Sequence, residues 1–318
     1  MKIVITGIAG FIGFHLARQL HGLGHEVSGL DNFNDYYDQG LKAERKRILQ
    51  ELNIPVLTRD IRTMTKYDLL DEKHSPVDLV IHLAAWAGVR HSFDHEAEYI
   101  DNNINGTANL IESIKKAGIK NVIFASTSCV MAGNPLPWKE DEKTGHQLNP
   151  YGYTKHVNEC QFTMLNNSVP GMNIIGLRFF TVYGPYGRPD MALFTFADQL
   201  LAGEKLTVFN NGDMKRDFTY VADIVNGIET LIGVRAINGF EIFNIGRGEQ
   251  VQLMDFIGHI ENELGVKGEY EFKPKHPADT QETWSDTSKL QSLGWKPTTS
   301  IAEGVHNFIA WYKTWRNI

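Results

Sequence analysis

The sequence predicts an α/β protein built on a doubly wound parallel sheet, with a smaller C-terminal lobe. Short continuous apolar runs alternate with stretches of helical length through the first half of the chain, which is typical of parallel strands covered on both faces. The 318 residues are enough for about two domains. After residue 177 the chain changes to loops rich in Gly, Pro and aromatic residues, which indicates a second unit.

The elements are predicted in chain order. Strands are expected at Ile3–Ile5, Glu26–Leu30, Val56–Leu57, Leu79–Leu83, Val122–Ala125 and Ile174–Leu177. Helices are expected at Phe14–Leu23, Glu96–Lys116 and Tyr151–Asn166. A helix at Thr219–Val234 and a strand at Phe240–Ile245 are expected to rejoin the first domain (1–177), so that 219–246 belongs to it although 178–318 otherwise forms the lobe. A last helix, Ile301–Tyr312, begins with the capping-box pattern of Ser300 and Glu303.

Composition excludes several classes of function. The net charge of −7 argues against an extended nucleic-acid surface. The two cysteines, Cys129 and Cys160, and the twelve histidines form no metal-ligand spacing, so no metal site is expected. No apolar run reaches the ~18 residues of a membrane span, and the chain enters a strand at residues 1–5. We therefore expect a cytoplasmic protein with no membrane contact.

A glycine pattern joins the first strand to the first helix. Gly7, Gly10 and Gly13, with Phe11 and Ile12 between them, stand where the dinucleotide-binding fingerprint of a Rossmann fold requires them. The glycines allow a tight turn and a close approach to a pyrophosphate at the helix N-terminus. Asp31, followed by Asn32, ends the second strand; its carboxylate suits ribose hydroxyls and repels a 2′-phosphate. NAD is therefore predicted as the cofactor rather than NADP.

Tyr151 and Lys155 are four residues apart, so one helix face carries both. A nearby ammonium favours the phenolate, and we expect it to lower the Tyr151 pKa enough for a general base near neutral pH. Packing and a solvated face would explain the same spacing, but the glycine pattern favours catalysis.

Together these motifs, with Asp60-Ile61 after the third strand and Leu83-Ala84-Ala85 after the fourth, resemble the extended short-chain dehydrogenases/reductases, a family of nucleotide-sugar enzymes. Longer strings, such as Arg178–Pro185 and Arg216–Tyr220, resemble the UDP-glucuronate 4-epimerases of that family. The resemblance implies that Asp60, Ile61, Leu83, Ala84 and Ala85 contact NAD. It also implies Thr127 as the third catalytic residue, with Ser126 and Ser128 as alternatives. Val130-Met131-Ala132-Gly133 stands where the family usually has Val-Tyr-Gly, with Met131-Ala132 in place of the tyrosine.

The resemblance implies 4-epimerisation of a UDP-sugar, UDP-glucuronate to UDP-galacturonate, through a transient 4-keto intermediate. Tyr151 would take the O4 proton while hydride passes from C4 to NAD. The substrate residues it implies are Arg90, Ser128, Thr181 and Arg188 near the sugar carboxylate, with Arg216 at the pyrophosphate and Asp279 at the uridine ribose. Alternatives are a UDP-glucose or UDP-N-acetylhexosamine 4-epimerase, a UDP-glucuronate decarboxylase and a non-catalytic NAD-binding protein; the missing acidic pair after Thr127 disfavours a 4,6-dehydratase. A homodimer through the helices Glu96–Lys116 and Tyr151–Asn166 is also expected.

Overall fold

The computed structural model describes residues 1–234 and 239–318. The strands in these ranges are β1 (Lys2–Thr6), β2 (Glu26–Asp31), β3 (Val56–Thr58), β4 (Leu79–His82), β5 (Asn121–Thr127), β6 (Asn173–Phe179), β7 (Thr181–Tyr183), β8 (Leu206–Phe209), β9 (Lys215–Arg216), β10 (Phe218–Tyr220), β11 (Gly239–Ile245), β12 (Val251–Gln252) and β13 (Tyr270–Lys273). The α-helices are α1 (Phe11–Gly22), α2 (Gln39–Glu51), α3 (Glu96–Tyr99), α4 (Gly106–Ala117), α5 (Pro150–Ser168), α6 (Ala192–Ala202), α7 (Val221–Gly233), α8 (Leu253–Leu264), α9 (Ser288–Gln291) and α10 (Ile301–Arg316).

Seven of the described strands form one parallel sheet in the order β11-β6-β5-β4-β1-β2-β3. The chain runs outward from β1 in one direction through β2 and β3, and in the other through β4, β5, β6 and β11. The order therefore reverses between β1 and β4, and a crevice opens there at the carboxyl ends of the strands. The predicted doubly wound α/β fold is confirmed.

Helices bury both faces of the sheet. On one face Phe14 of α1 and Ile228 of α7 pack against sheet residues such as Ile5. On the other, Phe162 of α5 stacks on Phe124 of β5 with ring centres 4.2 Å apart. Each face is thus a closed apolar layer, which leaves the strand ends as the place for polar side chains.

A separate core lies in the lobe. α6, α8 and α10 pack around β8, and Phe218 stacks on Phe256 with ring centres 3.9 Å apart. β11 pairs along its whole length with β6. The chain therefore returns from the lobe to the seven-stranded sheet. The predicted segment 219–246 includes residues 235–238, which lie outside the described ranges, and the domain boundaries stay a prediction.

Several predicted element boundaries are wrong. α1 begins at Phe11 instead of Phe14, because the glycine loop runs directly into the helix. Thr219 lies in β10, which pairs with β7, and helix α7 begins only at Val221. The long helix expected from Glu96 is interrupted by a π-helical segment at Ile100–Asn105. Helices α2, α6 and α8 were not predicted.

The π-helical segment has a local cause. Asn103 within it accepts a hydrogen bond from the Trp86 N–H (2.9 Å) and donates to the Trp86 carbonyl (3.0 Å) and to Thr154 Oγ1 of α5 (3.0 Å). The wider helical turn places this side chain against the loop that follows β4. No helix in the described part of the chain is both long and apolar enough to cross a membrane.

Candidate active site

A cavity of about 690 Å³ lies between the carboxyl edge of the sheet and the lobe. All but one of the residues predicted for the site line it. They are Gly7, Gly10, Phe11, Ile12, Gly13, Asp31, Asn32, Ile61, Leu83, Ala84, Ala85, Arg90, Thr127, Ser128, Tyr151, Lys155, Thr181, Arg188, Arg216 and Asp279. Residues scattered over 273 positions of sequence thus meet in one enclosure, although their individual roles stay predictions.

The glycine loop has no room for side chains. Gly7 adopts a φ of 74°, and a Cβ on it would lie 2.8 Å from the Ala84 nitrogen. A Cβ on Gly13 would lie 2.2 Å from the Gly7 carbonyl oxygen. Gly10, the N-cap of α1, offers no side-chain cap, so the first N–H groups of the helix are available to an anion. This geometry fits the pyrophosphate of a dinucleotide.

Asp31 ends β2 inside the cavity and is 7% exposed. Its Oδ1 accepts a hydrogen bond from the Phe33 N–H at 2.9 Å, and Lys42 Nζ lies 4.0 Å from the same atom. Asp60, the exception among the predicted residues, does not line the cavity. Its carboxylate accepts a hydrogen bond from Asn32 Nδ2 (2.9 Å) and forms an ion pair with Arg62. Asp60 therefore fixes the Asn32 side chain without itself lining the cavity.

The predicted catalytic residues come from a helix start and a strand end. Asn149 caps α5 by accepting a hydrogen bond from the Gly152 N–H at 2.7 Å, which begins the helix just before Tyr151. Lys155 follows one turn later and is 1% exposed. Thr127 ends β5 opposite them; its hydroxyl faces the Tyr151 phenol and favours the phenolate.

The alternatives to Thr127 have other positions. Ser126 donates its hydroxyl hydrogen bond to Glu159 at 2.6 Å, so it is already engaged away from the phenol. Ser128, the residue after Thr127, also lines the cavity. Met131, which stands where the family usually has tyrosine, is fully buried, and its Sδ accepts from Arg178 Nη1 at 3.0 Å.

The expected lowering of the Tyr151 pKa is wrong for this structure. Burial raises the pKa of Tyr151 well above its ordinary value of 10, and the effects of the Arg188 charge and the Thr127 hydroxyl, which lower it, are smaller. Burial also lowers the Lys155 pKa to about 8, although the Glu159 charge acts in the opposite direction. Sequence spacing fixed the helix face of the pair, but tertiary burial decided the sign of the shift.

The lobe end of the cavity is positively charged. Arg90 Nη2 donates to Asp279 Oδ2 at 2.7 Å, and its guanidinium lies 3.8 Å from the centre of the Phe209 ring. Arg216 donates to the carbonyls of Lys215 (3.0 Å) and Gln281 (2.9 Å), and within the described residues no carboxylate lies within 4.0 Å of it. Two arginines and one aspartate give this end of the cavity a net positive charge.

A second charge pair lies nearer Tyr151. Arg188 forms an ion pair with Asp190, whose carboxylate also accepts from the Tyr36 hydroxyl at 2.8 Å. Burial raises the Asp190 pKa, but the Arg188 charge and hydrogen bonds outweigh it and lower the pKa below its ordinary value. Tyr36 and Asp190 were not predicted from the sequence as site residues. Within the described residues no group of three His, Cys, Asp or Glu side chains could hold a metal ion.

Known proteins match this chain in both sequence and structure. The model of the NAD dependent epimerase/dehydratase family matches residues 3–246. A UDP-glucuronate 4-epimerase of Thermodesulfobacterium geofontis is 38% identical over 98% of this chain and 95% of its own length. The crystal structure of the Bacillus cereus UDP-glucuronic acid 4-epimerase with UDP-glucuronic acid and NAD superposes with a TM-score of 0.90, at 33% identity over 99% of this chain and 100% of the other. The crystal structure of a Thermotoga maritima UDP-glucose 4-epimerase with UDP-glucose gives a TM-score of 0.85, at 27% identity over 99% of this chain and 100% of the other.

Proposed function

The chain belongs to the NAD dependent epimerase/dehydratase family, and we propose that it is an NAD-dependent isomerase that interconverts UDP-glucuronate and UDP-galacturonate. One observation carries the proposal: a single cavity joins the glycine loop, the Thr127, Tyr151 and Lys155 set, and a positively charged end in the lobe. A dinucleotide, a hexose and a nucleoside diphosphate need those three environments in that order. The enzyme class and the cofactor predicted from sequence are confirmed by the relatives.

NAD fits the sheet side of the cavity. The N-terminus of α1 would hold its pyrophosphate, and Asp31 would accept hydrogen bonds from the adenosine ribose. Lys155, deep in the cavity, would bond the nicotinamide ribose. When bound, NAD accepts a hydride from the sugar C4 and returns it to the opposite face.

Tyr151 is the proposed base for the O4 proton. A phenol whose pKa is raised holds its proton tightly, so the chain alone does not make Tyr151 a base near neutral pH. The charge of Arg188 and the hydrogen bond of Thr127 act against burial, and a cationic nicotinamide beside the phenol would add to them. Thr127 also orients O4. Proton removal is thereby tied to the presence of the oxidised cofactor.

The positively charged end would bind UDP. Arg216 is half-buried, and burial lowers its pKa although the Asp279 charge opposes that shift. A half-buried guanidinium with only carbonyl acceptors gains most from a phosphate, which its planar fork can bind bidentately. Arg90 would provide a second cation at the pyrophosphate, and Asp279 has one carboxylate oxygen left for the uridine ribose.

The sugar carboxylate would be held by neutral donors. Ser128 and Thr181 line the cavity beside Thr127, whereas the charge of Arg188 is largely balanced by Asp190. A 4-keto sugar with a C6 carboxylate loses CO₂ readily if the C5–C6 bond stands perpendicular to the carbonyl plane. Hydroxyls that fix the carboxylate in another orientation would prevent that loss.

The proposal is tested by incubating the purified protein and NAD with UDP-glucuronate and, in a parallel reaction, with UDP-glucose, and following the products by NMR. The expected product is UDP-galacturonate, without CO₂. Release of CO₂ would identify a decarboxylase, conversion of UDP-glucose alone a sibling epimerase, and no conversion with NAD bound a non-catalytic protein. Each of these three results contradicts the proposal.

A homodimer through α4 and α5 is part of the proposal. Along α5 the residues Tyr153, Cys160 and Met164 face outward, and Tyr153 and Met164 are 46% and 63% exposed, which is unusual for large apolar side chains on a helix otherwise packed on a sheet. A second copy would cover this face isologously.

Light scattering should show a dimer for the wild type and a monomer for the Tyr153→Glu/Met164→Glu variant. The control Leu201→Glu, on α6, should leave the dimer intact. A cytoplasmic location is also proposed, which the two free cysteines support.

A further inference from the structure

Glu159 lies on α5 one turn beyond Lys155 and is 7% exposed. Its carboxylate accepts two parallel hydrogen bonds from Arg178, Nε to Oε1 at 2.9 Å and Nη2 to Oε2 at 2.9 Å. A third comes from Ser126 Oγ at 2.6 Å. Every donor is buried, so this carboxylate is held more firmly than a surface ion pair would be.

Two of these three residues belong to elements that carry catalytic residues, Glu159 to α5 and Ser126 to β5. Ser126 of β5 and Arg178 of β6 are register partners in the sheet, and Thr127 is the next residue along β5. Glu159 therefore ties α5, which carries Tyr151 and Lys155, to the strand end that carries Thr127. A change at Glu159 would alter the separation of phenol and hydroxyl without touching either.

Glu159 is also the anion that faces Lys155. Burial lowers the Lys155 pKa, and the Glu159 charge raises it. The titratable groups near Lys155 also include Tyr151, one turn earlier on α5, and His82 on β4, which burial, and to a lesser degree the Lys155 charge, keep neutral. The third donor of Arg178 goes to the Met131 thioether at 3.0 Å, a neutral acceptor, so within the described residues Glu159 is the carboxylate that pairs with Arg178.

We propose that Glu159 is a positioning residue of the active site, which sets Tyr151 and Lys155 against Thr127 and keeps Lys155 in its ammonium form. The inference deepens the proposed function, because it assumes that Lys155 contacts NAD. It does not require that the sugar is UDP-glucuronate.

The test measures NAD affinity against pH without any sugar, in the wild type and in Glu159→Gln. Wild-type affinity should weaken as pH rises through about 8, where Lys155 loses its proton. In Glu159→Gln the same weakening should occur at a pH about one unit lower, a tenfold change in the proton affinity of Lys155. With substrate present, kcat at pH 7.5 should fall about tenfold or more, with KM within about threefold.

Ser126→Ala is the matched control. It removes one hydrogen bond from Glu159 but keeps the ion pair and the charge, so the pH at which NAD affinity weakens should not move. Where Glu159→Gln leaves Arg178 unpaired and the chain does not fold, the Glu159→Gln/Arg178→Met variant removes both buried charges at similar volume. That variant should fold and show the lower pH of weakening.

An unchanged pH dependence of NAD affinity in a folded Glu159 variant would overturn the inference, because a purely structural role would scale the affinity without moving its pH dependence. Failure of the wild type to epimerise UDP-glucuronate, with the pH shift still present, would reject the proposed substrate and leave the role of Glu159 standing. The two failures are therefore distinguishable.

Discussion

Arg90 and Asp279 form an ion pair, with 2.7 Å between Nη2 and Oδ2, that joins the two sides of the active-site cavity. Arg90 follows strand β4 of the sheet, whereas Asp279 and the Phe209 ring under the guanidinium belong to the lobe. The planar guanidinium can stack on Phe209, bond Asp279 and still meet a phosphate. A lysine has one compact ammonium and cannot do all three.

Arg90→Lys should therefore weaken UDP-sugar binding and leave the chemistry almost intact. We expect KM for UDP-glucuronate to rise about tenfold and kcat to change by less than about twofold, as for an interaction equal in ground and transition states. Initial rates over a range of substrate concentrations measure both. Arg47→Lys, on the exposed face of α2, is the control and should match the wild type. A fall in kcat with unchanged KM would contradict the assignment.

Gly13→Ala should abolish NAD binding. A Cβ at this position would lie 2.2 Å from the Gly7 carbonyl oxygen, so the loop that receives the pyrophosphate must move. Calorimetric titration with NAD should show a loss of at least about a hundredfold, near 3 kcal/mol. Gly22→Ala, at the other end of the same helix, meets no atom within 4 Å; it should bind NAD normally and stabilise the chain by up to about 1 kcal/mol. Normal NAD binding by Gly13→Ala would exclude this loop as the pyrophosphate site.

Lys155→Met should stabilise the chain while removing activity. Burial lowers the Lys155 pKa from 10.5 to about 8. The unfolded chain keeps its proton up to about 10.5, so burying the ammonium costs free energy below pH 8, and this cost disappears as pH rises to 10.5. At about 1.4 kcal/mol per unit, the free energy of unfolding at pH 7 should rise by about 3 to 4 kcal/mol. Urea unfolding measures it.

The gain in Lys155→Met should shrink when the same unfolding is repeated near pH 10. Lys116→Met, at an exposed site on α4, should change the free energy of unfolding by less than about 0.5 kcal/mol. A Lys155→Met protein less stable than the wild type at pH 7 would show that the ammonium is favoured where it lies.

His82 should make the protein sensitive to acid. Its ring bonds Thr6 Oγ1 at 2.7 Å and Thr107 Oγ1 at 3.0 Å, and burial lowers its pKa from 6.5 to about 3. The unfolded chain takes up a proton near pH 6.5 and the folded chain does not, so stability is lost as pH falls from 6.5 toward 3. The slope should be about 1.4 kcal/mol per pH unit from this residue alone.

His82→Gln should reduce the pH dependence of the free energy of unfolding by about 1.4 kcal/mol per pH unit, whatever its effect on stability at pH 7. The control His306→Gln, at an exposed site, should leave the pH dependence unchanged. Denaturant unfolding at several pH values between 4 and 7 measures the slope. An unchanged slope in His82→Gln would mean that other groups cause the acid sensitivity.

Local motifs were predictable because the backbone alone decides their geometry. The glycine loop after β1 and the Tyr151–Lys155 spacing depend on residues close in sequence, so their placement in one cavity followed once the sheet was parallel. The resemblance to a known family added Thr127, Arg216 and Asp279, which spacing alone would not have indicated.

What sequence could not show depends on long-range contacts. Tyr36 beside Asp190, and Glu159 beside Arg178, are visible only once separate segments of the chain meet. The raised Tyr151 pKa follows from burial in the folded chain, which the i, i+4 spacing does not reveal. The resemblance implies that Asp60 contacts NAD, but the ion pair of its carboxylate with Arg62 and its hydrogen bond from Asn32 came only from the structure.

The central claim is that one hydrogen leaves C4 and the same hydrogen returns to its other face, with Tyr151 handling the O4 proton. The most direct measurement is epimerisation of UDP-glucuronate in D₂O by the wild type and by Tyr151→Phe, with products resolved by NMR and mass spectrometry. The wild type should give UDP-galacturonate with no deuterium at C4 or C5, and Tyr151→Phe should lose at least about a thousandfold in rate while still binding NAD. Deuterium at C5 or C4 of the product, or an unimpaired Tyr151→Phe, would contradict the account.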